Sequence, residues 1–115
     1  MQYLPKQSWV YIMSNRHRNV LYIGVTSNLY KRVWEHKNHV HKGSFTSRYN
    51  CDFLIYYEYY DNIIEAISRE KQLKNWRREW KYNLIKKKNS EMKDLWNFFV
   101  KSLNEDFDGD NIVWE

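Results

Sequence analysis

Trp9-Val10-Tyr11-Ile12-Met13 and Val20-Leu21-Tyr22-Ile23-Gly24-Val25 are two runs of β-branched and aromatic residues. Between them lies the polar stretch Ser14-Asn15-Arg16-His17-Arg18-Asn19. Such residues fit a pleated, half-buried surface, and the polar stretch supplies turn chemistry, so the segment reads as a β-hairpin with a basic loop. If the strands pair residues whose numbers sum to about 33, Tyr11 and Tyr22 lie opposite each other on one face. Gly24 is one of only three glycines, and a glycine inside a strand marks a bulge or a close backbone approach. In a chain with ten tyrosines, the same pair also reads as an ordinary cross-strand aromatic contact.

Outward from the hairpin, residues 52–60 (Asp-Phe-Leu-Ile-Tyr-Tyr-Glu-Tyr-Tyr) predict a third strand. Thr26-Ser27-Asn28 offers capping side chains for a helix over 28–38, whose apolar face is Leu29 and Val33. Residues 39–50 are polar, contain Gly43 and read as a loop. Asp61-Asn62 caps a helix over 62–76, and further helix is expected over 78–88 and 91–103. This order gives an α+β fold, a small, mainly antiparallel three-stranded sheet flanked by helices.

At 115 residues the chain forms one domain, over 1–103. All 19 Lys and Arg lie in 1–103, whereas five of the 14 Asp and Glu lie in 104–115, so the body carries +10 and is followed by an acidic, loose tail. That imbalance points to a polyanionic partner, or to a solvated surface. A single cysteine, Cys51, excludes an internal disulfide and a cysteine-based zinc site. The four histidines lack zinc-protease spacing, and no apolar run approaches the ~18 residues of a membrane span. Residues 1–9 hold no apolar signal region. These features predict a soluble cytoplasmic protein without membrane association.

Three features carry potential chemistry. Glu70 falls near the centre of the helical arc formed by Ile63, Ala66, Ile67 and Leu73. A carboxylate there needs a basic partner, a metal or a cleft. Arg32 and His36 are one turn apart on the first helix, suited to gripping phosphate and moving a proton, or else forming the basic edge of an amphipathic helix. The third is the tyrosine pair. Phenols, a guanidinium, an imidazole and one carboxylate are the equipment of a metal-assisted phosphodiester hydrolase.

At these residues the sequence resembles the GIY-YIG nuclease superfamily, and among it the short stand-alone bacterial proteins. The carrying motifs are Val10-Tyr11-Ile12, Leu21-Tyr22-Ile23-Gly24-Val25-Thr26, Leu29-Tyr30-Lys31-Arg32-Val33-Trp34-Glu35-His36 and Ala66-Ile67-Ser68-Arg69-Glu70-Lys71-Gln72-Leu73-Lys74, then Trp76-Arg77-Arg78. The resemblance spans about 8–88. Trp9 and Val10 replace the glycine and isoleucine of the first triplet.

The resemblance implies that Tyr11, Tyr22, Arg32, His36 and Glu70 are catalytic. Glu70 would bind one divalent metal, Mg²⁺ or Mn²⁺, and Asn83 or Asn89 would match a family asparagine. Tyr11 is the expected activator of water, with His36 as helper or co-base. Lys31, Arg48, Lys71, Lys74, Arg77 and Arg78 are candidates for following a DNA backbone, contacts that carry no base information. The expected function is therefore a divalent-metal-dependent DNA endonuclease of little sequence specificity. A non-catalytic nucleic-acid-binding module of the same fold is one alternative. A protein-interaction domain docking through Trp80, Trp96, Phe98 and Phe99 is the other.

Overall fold

In a computed structural model, which describes residues 7–104, three strands and five helices follow one another. They are β1 (Ser8–Ser14), β2 (Leu21–Thr26), α1 (Leu29–Lys37), α2 (Phe45–Arg48), β3 (Phe53–Tyr60), α3 (Ile63–Asn75), α4 (Arg78–Lys88) and α5 (Trp96–Ser102). The acidic tail expected over 104–115 lies, apart from Asn104, outside the described residues.

The sheet is antiparallel, in the order β2-β1-β3. β1 is central and covered on both faces, so Val10, Tyr11, Ile12 and Met13 are all buried despite the alternation of a strand. The hairpin register differs from the expected one by two residues. Tyr11 is opposite Gly24, and Tyr22 is opposite Met13. A two-residue slip keeps every side chain on its own face, so the tyrosines remain diagonal neighbours, their rings 6.3 Å apart.

Tyr57 pairs with Tyr11 on the same face, which places Glu58 on the other. α1 and α5 cover the tyrosine face, through His36 on Tyr11 and through Phe99 on Trp9 and Tyr57. α3 lies across the opposite face, where Arg69 meets Glu58 at 3.0 Å and Ala66 and Leu73 are fully buried. Asn28 and Asn62 cap α1 and α3 with their side chains, as expected.

The last expected helix, over 91–103, is shortened to Trp96–Ser102. Residues 89–95 run instead as a tied loop. Met92 has φ +51°, the Asp94 carboxylate accepts from Leu54 N and Trp96 N, and Leu95 N donates to the Leu54 carbonyl at 2.7 Å. Among the described residues no helix is long and apolar enough to cross a membrane.

Candidate active site

Gly24 sets the geometry of the site. A Cβ at this position would lie 2.5 Å from Cζ and Oη of Tyr11. The Tyr11 ring therefore lies against the Gly24 backbone, a close approach, which with a bulge was one of the two readings of an in-strand glycine.

The Tyr11 hydroxyl lies 2.9 Å from His36 Nε2, and His36 Nδ1 lies 2.8 Å from Thr46 Oγ1. His36 falls on the buried side of α1 with Leu29 and Val33, and is only 4% exposed. Burial first, and then the Arg32 charge one turn away, push its pKa down to about 4. The imidazole is thus neutral at physiological pH, with one nitrogen donating and the other accepting. Burial, then the neighbouring Tyr22, hold the Tyr11 phenol well above its ordinary pKa, against the opposing pull of Arg32. The half-buried Arg32 guanidinium acts on both phenols and donates to Glu35 at 3.4 Å. Tyr22 completes the cluster, its ring 5.5 Å from that of His36.

Four of the five expected chemical residues are therefore together. The fifth, Glu70, sits on α3 outside this hydrogen-bonded cluster, its side chain largely covered, with Lys74 Nζ at 3.2 Å as its ion-pair partner. The apolar arc around it is narrower than the sequence suggested, since Ile67 is 37% exposed. No group of three or more His, Cys, Asp or Glu that could hold a metal occurs among the described residues. A lone carboxylate beside a largely exposed lysine fits a hard ion that keeps most of its waters, such as Mg²⁺ or Mn²⁺, and does not fit a closed zinc site.

Lys31, Arg48, Lys71, Lys74, Arg77 and Arg78 are all exposed, but they are divided between elements on both faces of the sheet. Lys31 and Arg48 belong to the tyrosine side. Arg78 is engaged locally, donating to the Asn19 carbonyl and to the Tyr82 hydroxyl, and so ties α4 to the hairpin loop. Asn83 is exposed on α4. Asn89 is fully buried, and its amide is spent on the Ile55 and Lys93 carbonyls and on Lys93 N, which makes it a structural residue. The aromatic patch proposed for protein docking is broken up, because Phe99 is buried and Trp96 packs against the core.

Thr46 was not anticipated. It lies on α2, a single turn within the stretch read as a loop, with Ser44 as its N-cap accepting from Ser47 N. The signal available was Ser44 ahead of Phe45 and Thr46 in an otherwise polar run.

Among protein families, the GIY-YIG catalytic domain matches residues 7–83. A UPF0213 protein of Clostridium perfringens (strain 13 / Type A) is 36% identical over 81 residues, covering 70% of this chain and 85% of that protein. No solved structure matches the chain significantly.

Proposed function

The chain belongs to the GIY-YIG family, and from that premise we propose that it is a divalent-metal-dependent endonuclease hydrolysing phosphodiester bonds in DNA with little sequence specificity. GIY-YIG domains are generally nucleases that act on DNA and use a divalent metal. The observation that carries the reading here is the hydrogen-bonded chain Tyr11–His36–Thr46, with Arg32 and Tyr22 beside it.

In this reading Arg32 grips the scissile phosphate. Tyr11 is held too far above its ordinary pKa to act as a free phenolate. It takes a proton from the attacking water only as it passes its own to His36 Nε2. Thr46 accepts from Nδ1–H in that tautomer and leaves Nε2 free to receive. The bound phosphate offsets the Arg32 charge that depresses His36, so the imidazole becomes more basic when substrate is present. Water oxygen bonds to phosphorus as the bond to the 3′ oxygen breaks. A divalent ion held by Glu70 supplies, when bound, neutralisation of the charge that builds on the phosphoryl and departing oxygens.

The test is cleavage of end-labelled single-stranded, duplex and branched DNA with Mg²⁺, Mn²⁺ or EDTA. Products are expected with either metal and not with EDTA, and Glu70→Gln is expected to abolish them while the protein stays folded. DNA binding without cleavage under every condition would instead establish the non-catalytic module.

A further inference from the structure

A row of aromatic rings leads out of the Tyr11–His36 cluster onto the surface. The half-buried Tyr22 ring stacks on Phe45 with centroids 6.0 Å apart and planes at 29°. Phe45 in turn contacts Tyr49, four residues on, at 4.7 Å. Phe45 and Tyr49 are each 46% exposed. The Arg48 guanidinium lies 5.8 Å from the Tyr49 ring centre. Beyond Tyr49 a cleft of about 420 Å³ opens towards the hairpin loop, with Arg16 on its wall. The carboxylate that lines this cleft, Asp52, lies 2.6 Å from His39 Nε2.

The turn that carries these rings is fixed from inside. Thr46 is held against His36, and the flanking Phe45 and Tyr49 are thereby set at a constant distance from the Tyr11 hydroxyl. Flat aromatic faces interleaved with arginine suit one kind of nucleic acid. In a continuous duplex the base faces are covered by their neighbours and only edges and phosphates are offered. In a single strand the faces are free to stack on side chains while the backbone follows the cations.

Resting on the nuclease reading above, we propose that Tyr22, Phe45 and Tyr49 form a stacking platform for unpaired bases next to the scissile phosphate, so that the substrate is a single-stranded segment of DNA. The platform predicts which part of a strand binds. Bases, and not only phosphates, must contribute to affinity, and the contribution must be lost when the outer rings lose their planar faces.

The experiment measures binding in EDTA, by fluorescence anisotropy, so that it does not depend on cleavage. Three labelled probes of equal length are compared at one salt concentration: a base-bearing single strand, an abasic strand with the same phosphates, and a blunt duplex. The wild-type protein is expected to bind the base-bearing strand at least roughly tenfold more tightly than the abasic one, and more tightly than the duplex. Phe45→Leu and Tyr49→Leu keep apolar bulk and remove the ring. Each is expected to weaken binding of the base-bearing strand by roughly tenfold and to leave the abasic strand unchanged. Equal affinity of the wild type for base-bearing and abasic strands, or a preference for duplex, would overturn the platform whatever the variants do. Because these readings are taken without metal, a protein that stacks bases and never cleaves refutes the nuclease and keeps the platform. One that cleaves DNA and ignores the bases does the reverse.

Discussion

At Gly24 a single methyl group is enough to separate the groups of the site. The contact is steric, with Tyr11 Cζ and Oη 2.5 Å from where a Cβ would stand. The Tyr11 ring is fully buried and can yield only by leaving His36. Gly24→Ala is therefore expected to lower single-turnover cleavage by roughly 10²-fold, the scale of a misplacement of about 1 Å, and a variant that cleaves at the wild-type rate would show the ring is free to move. Arg32 acts on the same cluster through charge. Its removal should let the His36 pKa rise from about 4, and NMR titration of the ring protons reads that shift directly. An unmoved pKa in Arg32→Ala would leave burial, with His41, as the cause. The sequence already marked Gly24 as a bulge or a close approach and Tyr11 and Tyr22 as sharing a face. It could not give the register, because a slip of two residues preserves the face of every side chain. Only the pairing of Tyr11 with Gly24 explains why the glycine is needed.

At the scale of elements, the long pieces were legible because capping and periodicity agreed. Asn28 and Asn62 stand where α1 and α3 begin, and Leu29 and Val33 mark the buried side of α1. α2 was hidden for a physical reason, since one turn is too short to show a period of 3.6 residues. Residues 91–95 were misread as helix because the conformation of the 89–95 loop is imposed by partners distant in sequence. Asp94 and Leu95 are tied to Leu54, and Asn89 bonds Ile55 from full burial. Asn89→Ala leaves the Ile55 and Lys93 carbonyls without their buried donor. A loss of about 1–3 kcal/mol in urea unfolding is expected, with cleavage per folded molecule retained. A loss of activity larger than the loss of folded protein would return Asn89 to the list of candidate site residues.

For the whole molecule, the charge pattern and the buried histidine pull in different directions with pH. The body of +10 favours a polyanion and gains further positive charge as histidines protonate. His36 resists that gain, because burial first, and then Arg32 and His41, favour the neutral ring and together outweigh Glu35, which favours the charged one. Its folded pKa of about 4 lies below the ordinary 6.5. Between those values the unfolded chain binds more protons than the folded one, so stability rises with pH across that window. The contribution is fully present above pH ~6.5 and is lost as pH falls towards 4, about 3 kcal/mol in all. Glu58 has the same sign, its pKa lowered by hydrogen bonds from Arg69, Tyr56 and Tyr60 that outweigh the effect of burial, but it acts below its ordinary 4.5 and so at the acid end of the range. Chemical denaturation of the wild type from pH 7 to 4.5 is thus expected to show a steady decline that His36→Gln largely removes, since glutamine keeps hydrogen-bonding groups and has no proton to gain. Parallel curves for the two proteins would mean that His36 is solvated in the folded state, and the neutral Tyr11–His36 pair on which proton transfer depends would go with it.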